Sequence, residues 1–467
     1  MWYGERKREE ISKTKPMKKH FVNYAVVGIT MLFGCLGLAQ DQVSFTLEDA
    51  KLYALDNNLE IAIANNTVEI ARKQIQETRG LGFPQIEFNG TFNHFINLPV
   101  TVLEAQFLDP SAPDGAIVSF EAGTKHTSTG AIQANQLLFN GSYIVALQVS
   151  KFYLTFQQQS ADLSKEDVIF NVIQAYQLAS VAKINKSFTD SLVQSSEKLV
   201  QQQQHYRDLE LILQEDMDQL NYSLLSAKSE QTNADIQYQN ALNMLKLSMG
   251  YPIHGSIEII DLPNDLLTKS SIKTGDIHQN IKYSLIEKKV KLSQYNVKNR
   301  TFENLPSLNA FFHHSYNAYR NKFNFFEDKK WFPQTVWGIQ LSVPVFSGLS
   351  RYARTSQAKI QLLNDQNSLI QMERSLEFQE VQMKNNLRGA EETLSLQKKN
   401  LELANLIYKN AIIKKKIGKG NGVTVTQKHG QLILAEAKYI GSMMETFNAR
   451  LALDKMYNNI LTNQITR

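Results

Sequence analysis

The chain has 467 residues, 43% hydrophobic and 20% charged, which suits several packed domains and excludes a disordered chain. Its formal net charge is +5, but residues 1–39 hold seven Lys/Arg against three Asp/Glu, so the remainder carries only +1. That balance gives no nucleic-acid footprint, and a single cysteine, Cys35, excludes a disulfide framework.

In chain order, the first feature is an apolar stretch from about Phe21 to Ala39. Lys18-Lys19 precede it, and Gly37-Leu38-Ala39 offer small residues at −3 and −1 before Gln40. This pattern predicts a secretory signal peptide over residues 1–39, too short and wrongly flanked for an anchor, with Met17 an alternative start. Leu32-Phe33-Gly34-Cys35 only loosely resembles a lipoprotein cleavage site, because Phe33 is bulky. Cleavage after Ala39 leaves a mature chain with no cysteine. No later stretch reaches the ~18 consecutive apolar residues of a spanning helix. An exported chain of this kind is periplasmic, secreted or an outer-membrane barrel.

Next comes a helix over about Leu47–Arg79, a strand beginning at Pro84, a loop, and a second strand ending in Gln136-Leu137-Leu138-Phe139-Asn140-Gly141. From Gly141 to Gly250 the chain then runs without an intervening glycine or proline, which predicts a long helix, a tip near Arg207–Asp218 and a returning helix. Residues 251–275, with Gly250-Tyr251-Pro252 at their start, read as a linker. The same order then repeats. A helix over Gly275–Phe302 leads to a strand from Pro306, a loop, and a strand ending in Ser342-Val343-Pro344-Val345-Phe346-Ser347-Gly348. From Leu349 to Ile417 the only glycine is Gly389.

The repeat is visible at residue level. Phe139-Asn140-Gly141 lies 207 positions before Phe346-Ser347-Gly348, while Leu224, Ala227, Ala241 and Leu245 lie 208 before Leu432, Ala435, Ala449 and Leu453. The predicted units are residues 40–250 and 276–467, joined by 251–275. Their helices carry heptad seams: Leu220, Leu224, Ala227, Gln231, Ala234, Tyr238, Ala241 and Leu245 in one; Leu432, Ala435, Tyr439, Ser442, Thr446, Ala449, Leu453 and Met456 in another. Leu362, Leu369, Leu376, Met383 and Ala390 recur every seven residues, and Ala404 and Ala411 keep that phase. Such stripes bury a narrow face against a neighbouring helix in a coiled coil. About 65 residues of helix would span ~100 Å, more than one chain can bury alone.

The strands alternate. Trp337, Ile339, Leu341 and Val343 share one face against Gly338, Gln340 and Ser342, and Ile86, Phe88 and Phe92 oppose Gln85, Glu87, Asn89 and Asn93. Membrane barrels show this alternation, and so do half-buried soluble sheets. Phe95, Tyr316, Tyr319, Trp331 and Phe332 near the loops would suit an interfacial girdle. Four strands cannot close a barrel and an open edge is forbidden in lipid, whereas twelve strands from three chains can close.

Taken in order, the duplication, the two strand pairs and the Leu-Phe-Asn-Gly and Val-Phe-Ser-Gly openings resemble the TolC-like outer membrane efflux protein family over nearly all of the mature chain. The resemblance implies a mainly α fold with a small β part: long antiparallel hairpins in coiled-coil packing and two strand pairs per chain, duplicated. It implies a homotrimer with a 12-stranded barrel in the outer membrane of a Gram-negative bacterium and an α-helical tunnel in the periplasm. The partners it implies are a periplasmic adaptor (membrane fusion) protein and an inner-membrane transporter of RND or ABC type, with no cofactor.

Members of the family close the periplasmic end with helix tips that often carry aspartates. Here the first tip holds Asp208, Glu210, Glu215, Asp216 and Asp218, with Asp216 at the family's acidic position. The second departs from the pattern: Thr424 and Gln427 replace acidic residues, and Lys414, Lys415, Lys416 and Lys419 crowd a turn with Gly418, Gly420 and Gly422. These nine charged residues are the gate candidates, acidic tips pairing with basic tips within or between protomers. As exposed pairs each would be worth only ~0–1 kcal/mol. A carboxylate ring setting cation preference is the other role open to the acidic set.

Gly418-Lys419-Gly420-Asn421-Gly422 lacks phosphate-loop spacing, and a hairpin tip accounts for its glycines. His313-His314 would point to opposite faces of a strand and has no third ligand at a telling spacing. No catalytic constellation stands out, so the sequence reads as a channel rather than an enzyme. A type I protein-secretion duct and a non-conducting coiled-coil envelope protein are the alternatives.

Overall fold

A computed structural model describes residues 43–269 and 275–462. The expected signal peptide, Cys35 and part of the predicted linker lie outside the described residues. Strand β1 (Val43–Phe45) leads to helices α1 (Leu47–Asn57) and α2 (Leu59–Gly80), then β2 (Gln85–His94), β3 (Val100–Glu104), β4 (Ile117–Glu121) and β5 (His126–Asn140). Two long helices follow, α3 (Gly141–Asp208) and α4 (Gln214–Met249). After β6 (Ile257–Ile259) and α5 (Pro263–Lys269) come α6 (Ile281–Phe302), β7 (Ser307–Arg320), β8 (Phe332–Ser342), α7 (Ser350–Lys416), α8 (Gly422–Met456) and a short α9 (Asn459–Thr462).

The single helix expected over Leu47–Arg79 is two. Asn58 adopts an extended ψ of 129° and serves both elements, ending α1 and capping α2 by accepting from the Glu60 N–H at 2.8 Å. An asparagine side chain competes locally with helical backbone bonds, which breaks the helix without glycine or proline. The loop between β2 and β5 also holds a hairpin, β3 with β4, that the sequence did not announce.

Helices α3 and α7 run for 68 and 67 residues, each about 100 Å long. Their starts differ despite the near-copied sequence. Asn140 caps α3 by accepting from the Tyr143 N–H at 3.0 Å. A Cβ on Gly141 would sit 2.8 Å from the Phe302 carbonyl oxygen, so glycine permits that close approach. Before α7, Gly348 instead supplies a left-handed turn (φ +57°), and Leu349 follows it at φ +62°. The shared glycine therefore solves two separate backbone problems.

The predicted seams are buried or half-buried throughout, including Leu376, Ala390 and Ala411 on α7 and Leu220, Ala227, Ala234 and Leu245 on α4. Helix α8 carries a second buried seam beside the predicted one: Val425, His429, Leu432, Glu436, Met443 and Phe447. It needs both because it packs on α7 and also on α3 and α4. The polar His429 and Glu436 hid this stripe from an apolar count.

At mid-length, β1 pairs parallel with β6, bringing 43–45 onto 257–259. Tyr176 of α3 is fully buried there, its hydroxyl 2.9 Å from the Phe45 carbonyl oxygen and accepting the Asp261 N–H at 3.1 Å. Phe45, Met249, Ile259, Met443 and Phe447 join the same core. The mutation Gly141→Ala is expected to destabilise the protein by about 1–3 kcal/mol through overpacking against Phe302 and Leu305. A thermal-unfolding midpoint unchanged from wild type would contradict this.

Candidate functional site

Two features of the fold are candidates for function, the sheet at one end of the helices and the turns at the other. The four-stranded sheet has order β2-β5-β7-β8, antiparallel throughout. Its register aligns Ile86, Ala134, Phe312 and Trp337 in one row, and Glu87, Gln133, His313 and Val336 in the next. Rows alternate between faces. One face therefore gathers Ile86, Phe88, Ile132, Phe312, Trp337, Ile339 and Leu341, of which Trp337 is 76% exposed. The other gathers Gln85, Glu87, Asn89, Gln133, Asn135, Ser315, Asn317 and Gln334, with Thr129 donating to Asn317 at 2.8 Å. His313 and His314 fall on opposite faces, and His314 meets the Thr335 hydroxyl and packs edge-on against Tyr316. Strands β2 and β8 are the sheet's edges within one chain. Of the expected girdle aromatics, Tyr319 and Phe332 pack together across β7 and β8, and Lys330 sits over Phe332.

At the opposite end the two hairpins turn. Both turns use one cap geometry. After α7, Gly418 is left-handed (φ +72°), its N–H bonding the Lys415 carbonyl and the Lys419 N–H the Lys414 carbonyl. After α3, Glu210 holds the left-handed position (φ +61°), with N–H bonds from Glu210 to Arg207 and from Leu211 to Tyr206. These are Schellman caps. Glu210 thus occupies a site where glycine is the unstrained choice.

The nine gate candidates separate into one pair and seven surface groups. Lys415 is only 5% exposed, and its ammonium lies 2.9 Å from Asp216 Oδ2. The other carboxylate oxygen of Asp216 accepts the Gly422 N–H at 2.7 Å, at the N-terminus of α8 where the helix dipole favours an anion. Asp208 and Asp218 accept from Gln204 and Gln214 one turn away on their own chain segments. These two, with Glu210, Glu215, Lys414, Lys416 and Lys419, are exposed. Burial raises the Asp216 carboxyl's affinity for protons, but the bonds from Lys415 and Gly422 and the Lys415 charge outweigh it, so its pKa is lowered. The pairing occurs within one chain and is sheltered, unlike the exposed pairs expected from sequence.

Asp216 and Gly422 open a register that the sequence did not reveal. Helices α4 and α8 leave the turns side by side and parallel. Thr426 donates to the Gln219 carbonyl at 3.1 Å, and the Ser223 hydroxyl lies 2.9 Å from His429 Nδ1. A Cβ on Gly422 would meet the Asp216 carbonyl oxygen at 2.8 Å, so the helices touch at their first turns. The signal lay in the constant separation of 206–207 between these partners, one or two less than the repeat offset.

The four-stranded sheet, with one apolar and one polar face, is carried on paired helical hairpins about 100 Å long. Residues 286–459 match the outer membrane efflux protein family. Among solved structures, the channel CusC superposes with a TM-score of 0.69 at 14% identity, covering 89% of this chain and 91% of that one. The CmeC outer membrane channel of Campylobacter jejuni gives 0.63 at 17% identity, covering 88% and 85%. The open-state MtrE channel of Neisseria gonorrhoeae gives 0.64 at 13%, covering 88% of each. No curated protein matches the sequence. Over residues 286–459 the chain is similar to outer membrane efflux proteins, and its fold is the one these solved channels share. Among the described residues no helix is long and apolar enough to cross a membrane, and no group of three or more His, Cys, Asp and Glu residues could hold a metal ion.

Two predictions concern the turns. Asp216→Asn leaves the sheltered Lys415 ammonium without its counter-charge and should cost roughly 3 kcal/mol of local stability. In wild type the depressed pKa gives a contribution present above the unfolded value of about 3.9 and lost as pH falls through the folded value. Amide exchange at the first turns of α4 and α8 should therefore accelerate in the mutant at pH 7, and the pair's own contribution in wild type should be lost only below about pH 4. Equal protection in mutant and wild type at pH 7 would refute the pairing. Separately, Glu210→Gly should stabilise the first turn by about 0.5–1 kcal/mol, read as slower exchange of the Glu210–Leu211 amides, because it relieves a left-handed strain.

Proposed function

We propose that three copies of this chain form the outer-membrane exit duct of a tripartite efflux system. Each chain would contribute its four strands to a 12-stranded barrel, with β2 of one copy pairing with β8 of the next. The observation that carries this reading is the sheet itself: apolar on one face, polar on the other, with two free edges. In lipid those edges have no water to satisfy them, so neighbouring copies must. The apolar face then meets hydrocarbon and the polar face lines a water-filled lumen.

In this reading residues 40–250 and 276–467 are the two repeats, joined by 251–275. The hairpins assemble into the periplasmic tunnel. An adaptor protein and an inner-membrane pump of the RND or ABC type deliver small molecules to the tunnel, which conducts them passively. The hairpin tips form the entrance. Asp216 holds α4 to α7 through Lys415 and to α8 through the Gly422 N–H and keeps the entrance narrow, while the exposed Asp208, Glu210, Glu215, Asp218, Lys414, Lys416 and Lys419 face the adaptor or the entering solute.

The test joins mass to conductance. Detergent-extracted protein should have the mass of three chains and form small-conductance channels in a planar bilayer. Lys415→Glu, which sets like charges against each other beside Asp216, should raise conductance several-fold, while Lys416→Glu at the surface should change it little. A monomer that never inserts would remove the duct. Trimeric channels unaffected by Lys415→Glu would remove the latch alone.

A further inference from the structure

Two turns above the Asp216–Lys415 pair, a buried polar layer crosses both hairpins. The Tyr408 hydroxyl of α7 lies beside Ser196 and Ser195 of α3. Its ring packs 5.5 Å from the His429 imidazole of α8. His429 in turn meets the Ser223 hydroxyl of α4 at 2.9 Å through Nδ1. All four helices thus contribute to one layer. His429 is 2% exposed, and its Nε2 is buried with no partner. Leucine or alanine would fill that seam position without leaving a polar atom unbonded.

We infer that this layer is a proton-responsive latch: an imidazolium formed at His429 would have no carboxylate to meet, so protonation drives α4 from α8 and widens the entrance. The inference rests on the channel reading above for its consequence, though not for its chemistry. The groups facing the ring are Tyr408 from α7 and Ser223 from α4, with Ser196 and Ser195 of α3 beside the Tyr408 hydroxyl, none of them anionic at neutral pH. Along the seam the Asp216–Lys415 pair lies two turns below, already mutually neutralised, and the buried Glu436 two turns above.

The sign follows from burial. Burial holds the imidazole below its ordinary value, so the closed form keeps it neutral. Closure is therefore fully supported above the exposed value of about 6.5 and weakens as pH falls below it. Glu436 has the opposite sign, because burial pushes its carboxyl up to about 7 and its protonation favours closure in acid. Parting the helices at the tip exposes His429 before Glu436, so the histidine governs the first stage of opening.

Two measurements on the full-length trimer test this. Hydrogen exchange of wild type at pH 7.5 and 5.5, corrected for intrinsic rates, should show the first three turns of α4 and α8 losing protection in acid while the mid-length core does not. Conductance should rise several-fold over the same interval when the entrance side is acidified, rise more steeply in Glu436→Gln, and stay flat in His429→Gln. Unchanged protection of the wild-type tips at pH 5.5 would overturn the latch without any variant having to fold. So would a His429→Gln trimer that opens in acid as wild type does. Loss of protection at the tips without conductance at any pH would instead overturn the channel and leave the latch standing.

Discussion

On the proposed reading, the sheet answers to one constraint: no peptide group can be left unbonded in hydrocarbon. A helix answers that constraint within itself, but this chain places no sufficiently apolar helix among its described residues. It offers strands, and strands satisfy the constraint only when every edge is paired. With β2 and β8 both free, one chain is structurally incomplete. The exposed Trp337, Ile339, Ile86 and Phe88 reinforce this, since a soluble protein gains nothing by displaying them together.

The helices meet a different demand. A pair of hairpins about 100 Å long has too much surface for a single hydrophobic core, so burial is confined to seams. Alanine and serine at many seam positions bring backbones close, and polar residues are admitted where a bond can be made across the seam. Thr446, for example, is fully buried yet bonds the Ser442 and Ala390 carbonyls. Near the tips several contacts are of this polar kind: Asp216 to Gly422 and Lys415, Thr426 to Gln219, Ser223 to His429. Apolar packing makes a permanent joint, whereas hydrogen-bonded and charged contacts can exchange with water at low net cost. The end of the molecule best able to come apart is the end whose contacts water can replace.

Much of this was legible in the sequence, and the misses have physical reasons. Glycine-free and proline-free runs located both long helices, because those two residues are the ones that punctuate them. The strands were found by alternation, and prolines at 84 and 306 marked their starts. The α1–α2 break was missed because Asn58 acts through its side chain, which leaves no periodic trace. The β3–β4 hairpin was missed because its strands are five residues long. At the tips, charge alone nominated nine residues, but only the fold could show that Lys415 is sheltered and Lys414, Lys416 and Lys419 are not. His429 was passed over because an apolar count assigns a histidine to the solvent face. Its position at the α8 seam depends on the parallel register with α4, which is a tertiary fact.

The central claim is that β2 and β8 are interior strands of a closed barrel formed between copies. Backbone hydrogen exchange of the detergent-extracted protein measures this most directly, since it compares those two strands with β5 and β7 in the same molecule. The account predicts that outward amides of β2 and β8 exchange as slowly as those of the central pair, because each bonds a neighbouring chain. Rapid exchange confined to the outward amides of β2 and β8, beside protected β5 and β7, would show free edges and contradict it.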